Sequence, residues 1–463
     1  MTQRLRVWAL ISVLALVAVA CSGDTGGTTT TAGTGDTTTT TADTGETTTT
    51  ATGGLEGTSV TVFGPESSDQ EAGAIQETLA AFGEPLGITV TYQGARDAEE
   101  QVNLQVEAGN PPDIFIFPQP GKLADFARAG NILPLPDNVA AAVAENWSEA
   151  WTVFGNVDGT QYGIPVKADL KSLVWYQPQV FTDNGYTVPT TWDEFKTLAN
   201  DMIANGHTPL CVGIESGPAT GWPFTDWVED LMLRFHGPDV YDAWVAHELP
   251  FESPEVKQVW DEVVNLWSTP GAVYAAGGSI AATPFGENAA PLLAGDCMMH
   301  RQASFFSSFF TAEDIAASPG GPVDVFYFPP VDPNTRPVLG AGTLVAAFRD
   351  APEVWAVMEY MSTSDYAEAR QRKQAELNGG TAGETLSGFL SAANGQDTSV
   401  YNPLEQSFLE ILGTAEVVRF DASDLMPAAV GAGTFWTEAT SVVNGEKTVD
   451  EALPIIDASW PAS

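Results

Sequence analysis

An α/β fold spread over two domains is what the sequence predicts, and three observations carry it. Strand-like and helix-like stretches alternate from residue 59 onward, the pattern of parallel strands joined by crossover helices. Beyond a Thr/Gly-rich leader roughly 400 residues remain, enough chain for two hydrophobic cores. The composition is that of a folded globule, 44% hydrophobic and 10% aromatic, with no long apolar run after the first.

The leader comes first. Arg4 and Arg6 precede an apolar run over residues 7–20, and the small residues Ala18 and Ala20 lead into Cys21. A charged start, a short apolar core and small residues at the cut define a secretory signal over 1–20. The stretch around Cys21 resembles a bacterial lipobox, with Ala18 where Leu is commonest, and that resemblance implies a lipidated Cys21. A multi-acyl anchor would hold firmly where one chain holds marginally. The remainder of 21–57 is mostly Thr, Gly and Ala, with Leu55 its single large apolar residue, so it is expected to be a disordered tether.

Each element then follows from its pattern. Residues 59–63 (SVTVF) form a strand, and 70–82 place Ile75, Leu79 and Phe82 on one helical face before Gly83 and Pro85. A second strand covers 88–92, and a helix over 97–108 carries Val102 and Val106 up to Gly109. Pro111 and Pro112 open the apolar strand 113–117 (DIFIF), followed by a short helix over 122–129. Ligands of such sheets sit at the carboxyl ends of the strands, which selects the loops at 64–69 and 118–121. Thr191 and Glu194 read as a capping box opening a helix with Phe195, Leu198 and Met202. Helices follow at 254–267 and 352–361, and a further one after Thr448, where Glu451 completes a second capping box.

Charge and rare residues narrow the function. The chain holds 60 acidic against 18 basic residues, a net charge of −42. That argues against nucleic acid and anionic membrane surfaces as partners. With Cys21 assigned to the anchor, Cys211 and Cys297 remain as an even pair in an exported chain and are expected to form a disulfide. The four His, at 207, 236, 247 and 300, have no ligand spacing, so neither a metal nor a cofactor is expected.

A family resemblance enters with particular motifs. Tyr162-Gly163-Ile164-Pro165-Val166-Lys167 followed by Leu173-Val174-Trp175-Tyr176 resembles the stretch entering the second lobe of carbohydrate-class solute-binding proteins of ABC importers, with Gln177 in place of the usual Asn. Pro189-Thr190-Thr191-Trp192-Asp193-Glu194 and Pro111-Pro112-Asp113 resemble further motifs of the same family. Gly213-Ile214-Glu215-Ser216-Gly217, Gly221-Trp222-Pro223, Thr225-Asp226-Trp227, His300-Arg301-Gln302 and Phe420-Asp421-Ala422-Ser423-Asp424 resemble its α-glucoside-binding lipoproteins. Gly340-Ala341-Gly342 resembles the family's crossing strand, though Thr343 stands where an acidic residue is usual. The resemblance implies a two-lobe periplasmic-binding-protein fold of type II. Each lobe would be a mostly parallel sheet flanked by helices, with the ligand cleft at the hinge. Lobe one would take 58–165 plus 344–394, and lobe two 166–343 plus 395–463. It also implies a monomer on the outer face of the cytoplasmic membrane, receiving a sugar and passing it to permease subunits driven by an ATPase subunit inside the cell.

A pyranose presents an apolar CH face and a rim of hydroxyls, so it calls for flat aromatic rings and polar side chains that fork. Trp222 and Trp227, in a Gly/Pro-rich segment, are candidates for stacking, where the ordinary alternative is core packing. Asp226 would accept sugar hydroxyls, or simply start a helix. Arg301, with Gln302, could fork two hydroxyls, or pair with an acid. Gln119, Glu66 and Ser67 follow strands at their carboxyl ends. Lys167 and Asp169 stand where the chain enters lobe two, and Asp424 is a candidate by resemblance alone. A secreted glycosidase would need a working carboxylate pair, for which 60 acidic residues give no evidence, and no nucleophile-elbow, zinc-protease or nucleotide-loop motif occurs. A surface lectin would be richer in strands. The same fold binding another neutral or cationic solute stays open.

Overall fold

A computed structural model describes residues 54–311, 314 and 320–461. The expected signal 1–20, the expected lipidation site Cys21 and the expected tether up to residue 53 lie outside the described residues.

The first sheet is built on β1 (Thr58–Gly64), β2 (Ile88–Gly94) and β3 (Ile114–Phe117), all parallel, with β1 in the middle. Helix Asp69–Gly83 joins β1 to β2 and helix Ala98–Glu107 joins β2 to β3, as the alternation predicts. A small hairpin follows, β4 (Asn156–Val157) and β5 (Thr160–Gln161), turning on Asp158 and Gly159, both at positive φ. Then comes β6 (Ile164–Leu170), whose seven residues are all buried, and β7 (Leu173–Tyr176), two residues further on.

The second sheet runs β11–β7–β10–β8–β9, with β8 (Leu210–Cys211), β9 (Val273–Tyr274), β10 (Met299–Arg301) and β11 (Asp324–Tyr327). After β11 the chain returns through β12 (Val338–Ala347), ten buried residues long. β12 pairs with β13 (Val418–Phe420) at one end, with β6 in its middle and with β3 at the other end. The expectation of mostly parallel sheets holds for β3–β1–β2 and β10–β8–β9. The sheets are mixed because β12 runs antiparallel to β3 and β6 though parallel to β13, and β7 runs antiparallel to β10 and β11. The lobe boundaries expected after 165 and 343 fall inside β6 and β12, the two strands that carry the chain between sheets.

Each sheet has its own core. Ile75, Leu79, Val354, Met358 and Tyr366 press helices onto one face of the first sheet, and Phe115, Phe117, Leu123 and Phe126 fill the other. Around the second sheet, Trp192, Trp227, Trp244 and Trp260 form the largest cluster. A further cluster gathers Trp175, Phe306 and Phe408 about Cys211 and Cys297. Those two cysteines are joined in a disulfide with Cα atoms 5.4 Å apart, as expected from the sequence. The capping box at Thr448 and Glu451 is complete. At Thr191 only half of one forms: the hydroxyl accepts from the Glu194 N–H, while the Glu194 carboxylate turns back to Thr190 instead.

Candidate functional site

The parallel strands of the first sheet end at Gly64, Gly94 and Phe117, so the following loops share one edge. Pro65 to Ser68, Arg96 and Pro118 with Gln119 come from these loops and line one wall of a cavity of about 350 Å³. The crossing strands form its back, through Lys167 and Asp169 of β6 and Ala341, Gly342 and Thr343 of β12. The opposite wall is aromatic, with Trp222, Phe285, Phe305, Phe309 and Trp436, and Asp421, Ser423 and Asp424 sit beneath it. A volume in this range suits a small ligand largely enclosed by protein.

Two glycines make the closeness possible. Gly221 precedes the helix Trp222–Val245 at φ 119°, and a Cβ there would lie 2.3 Å from the Trp436 carbonyl. Gly342 lets β12 approach β6, since its Cβ would lie 2.3 Å from the Lys167 carbonyl.

The wall from the first sheet is short of partners. Both carboxylate oxygens of Glu66, Oε1 of Gln119, Oδ1 of Asp169 and Oγ1 of Thr343 are buried without a hydrogen bond. Gln119 donates to Glu99 at 3.1 Å, and Arg370 stands 3.7 Å from Glu66 as an ion pair. Lys167 Nζ lies 3.3 Å from Asp169 and 5.4 Å from the centre of the Phe305 ring. Burial alone would lower the Lys167 pKa, but Asp169, Glu66 and Glu71 outweigh it and hold it above the usual value. Burial raises the Asp169 carboxyl, with Lys167 opposing. Orphaned buried acceptors are costly, and in a cavity wall they are the groups a ligand's donors would satisfy.

Beneath the cavity lies a network of charges. Lys171 donates to Asp226 Oδ1 at 2.7 Å and, by a very short contact, to Asp421. Asp226, Glu229 and Asp421 bring carboxylate oxygens within 4.8 Å of one another, a spacing that could hold a metal ion. Here the Lys171 ammonium supplies the positive charge between Asp226 and Asp421, and Glu229 accepts the N–H groups of Ala422 and Ser423. Burial pushes the Glu229 carboxyl well up, with the Asp421 charge adding to the rise. Burial takes Asp226 to about 7. Asp421 is held down against its burial by Lys171 and by the hydrogen bonds it accepts.

Of the residues singled out from the sequence, the cavity brings together Glu66, Ser67, Gln119, Lys167, Asp169, Trp222 and Asp424. Four lie elsewhere and are corrected. Trp227 is 3% exposed and packs against Trp267 at 5.7 Å and Phe328 at 5.3 Å, because it faces the core of the helix whose first residue, Trp222, faces the cavity. Asp226 and Arg301 stand one layer behind the floor, Arg301 bridging Asp226 at 3.1 Å and Asp230 at 2.9 Å. Gln302 is buried, its side chain accepting from the N–H of Ala303. Lys171, Glu71, Thr343, Phe305, Phe309 and Trp436 line the cavity without having been singled out. Lys171 was recoverable: it stands two residues past Asp169, just beyond the end of β6, where the alternation of Lys167 and Asp169 carried one step further would place it on the same face.

Two lobes joined by long crossing strands, over a polar cleft with one aromatic wall, define a solute receptor. The chain belongs to the bacterial extracellular solute-binding protein family, whose profile matches residues 66–368. It is 39% identical over 409 residues to the osmoprotective compounds-binding protein GgtB of Synechocystis sp., covering 87% of this chain and 92% of the relative. It is 36% identical over 416 residues to the alpha-glucosides-binding periplasmic protein AglE of Rhizobium meliloti, covering 87% of each chain. A solved chitin oligosaccharide binding protein has the same fold, with a TM-score of 0.72 at 18% identity, covering 88% of this chain and 98% of the other.

Proposed function

We propose that this protein captures an uncharged polyol, an oligosaccharide of the α-glucoside type such as maltose, trehalose or sucrose, by closing its lobes over it. It delivers the sugar to the permease of an ABC importer, held at the outer face of the membrane by lipid on Cys21. It is a receptor, so bound sugar should be recovered unchanged.

The observation that carries this reading is the pairing of two unlike walls. Glu66, Gln119, Asp169 and Thr343 offer acceptor atoms with no hydrogen bond, which hydroxyl donors would satisfy. Across from them Trp222, Phe285, Phe305 and Phe309 offer ring faces and edges to an apolar CH surface. The relative named for binding alpha-glucosides supports the sugar class.

Free acceptor oxygens also suit an ammonium group, so a cationic solute is the second reading. A thermal-shift screen separates the two. Maltose, trehalose and sucrose should include at least one that raises the melting temperature as binding to the folded state requires. Trp222→Ala should reduce that shift strongly. A shift given only by choline or a polyamine would transfer the assignment to the cationic reading, and no shift with any sugar would end the present one.

A further inference from the structure

Behind the cavity floor runs a ladder of alternating charge. Lys171 pairs with Asp226, Asp226 with Arg301, Arg301 with Asp230, and Asp230 with Arg234. Arg234 ends it by donating to the carbonyls of Phe328 and Pro329. Every member is buried. The ladder returns to its start, because Ser172, the neighbour of Lys171, donates to Asp230 at 3.0 Å. The turn between β6 and β7 is thereby fixed at two rungs, Asp226 and Asp230, on either side of Arg301.

Five buried charges are a poor means of filling a core, since apolar side chains of the same volume commonly give equal or greater stability. What the ladder achieves is placement. It fixes Lys171 Nζ at the cavity floor, 5.6 Å from the centre of the Trp222 ring. Arg301 is the central rung. Its two terminal nitrogens reach Asp226 and Asp230, while Nε has no hydrogen bond, so its polar contacts are given to the ladder.

We propose that Arg301 is a positioning residue of the ligand site, acting through Asp226 to hold the Lys171 ammonium where a bound solute meets it. The proposal rests on reading the cavity as the ligand site. It predicts that Arg301 matters to binding only while Lys171 is present. Arg301→Lys keeps the charge but cannot fork both carboxylates.

The test is a double-mutant cycle of Arg301→Lys and Lys171→Met, titrated by calorimetry with maltose, trehalose and sucrose, with urea unfolding run in parallel. Arg301→Lys alone should weaken binding about tenfold or more. In the Lys171→Met background the same change should alter Kd by less than about twofold. An equal loss in both backgrounds, or no loss in the first, overturns the proposal. A second readout needs no ligand. Acylation with N-hydroxysuccinimide acetate, mapped by peptide mass, should find Lys171 protected in the native protein and labelled faster in Arg301→Lys and in Asp226→Asn. Unchanged labelling in both variants overturns the proposal as well. Faster labelling alongside a native protein that binds none of the three sugars would leave the ladder standing and remove the sugar assignment.

Discussion

Single side chains in this protein take their roles from which face of an element they occupy. Trp222 and Trp227 are five residues apart on one helix, and one lines the cavity while the other packs among Phe195, Trp267 and Phe328. Their shared composition gave no means of separating them, because the helix start at Gly221 sets the angle and that depends on the distant Trp436. His300 shows the same dependence on surroundings. Its ring is buried, bonded through Nδ1 to the Cys211 carbonyl, and burial lowers its pKa from 6.5 to about 4. The unfolded chain therefore binds this proton first as pH falls, so stability is unaffected above about 6.5 and is lost between there and about 4. Relative to His300→Gln, the native protein should lose about 2 kcal/mol between pH 8 and pH 5. Urea unfolding at the two pH values measures it, and a constant difference between the two proteins would refute it. The site itself was partly legible. The loop residues Glu66, Ser67 and Gln119 line the cavity because parallel sheets expose their carboxyl ends. Arg301 lies behind the cavity lining, paired with Asp226 and Asp230, an arrangement that sequence alone does not separate from one facing the cavity.

Elements were read more securely than side chains. The helix Pro352–Met361 has the bounds that its apolar spacing indicates, and the one beginning at Thr448 has its full capping box. Where reading fell short, a partner the local pattern does not reveal had intervened. Glu194 gives its carboxylate to Thr190 rather than to the cap, and the mixed character of the sheets arises from β12, whose three neighbours come from distant parts of the chain. The contact of β6 with β12 is the tightest of these, and it leaves no room at Gly342. Gly342→Ala should cost about 1–3 kcal/mol as overpacking. It should also weaken ligand binding, since Lys167 lies opposite Thr343 beside it. Retained stability and affinity together would show that the strands can part without consequence.

At the scale of the molecule, one covalent link secures the second sheet. Cys211 and Cys297 are 86 positions apart, and the bond joins β8 to the segment just before β10. In the chain-entropy account such a closure contributes about 4–5 kcal/mol. Replacing both cysteines by serine should lower the urea midpoint by a matching amount, and an unchanged midpoint would show that the sheet does not depend on it. The two-lobe architecture was legible only through resemblance, because alternation of strands and helices describes any doubly wound protein. The interleaving of the lobes, 58–165 with 344–394 and 166–343 with 395–463, was likewise an expectation from resemblance alone, because no local pattern says which distant strand will pair. β3 is complete at Phe117, yet the strand that covers its edge begins at Val338. While the polypeptide is being made, the first sheet thus waits with an open side until most of the chain has appeared. Assembly so dependent on remote pairing is slow. A nascent chain of this kind stays threadable late into its synthesis, and a ribosome that stops early releases a fragment with a bare strand ready to pair with its like.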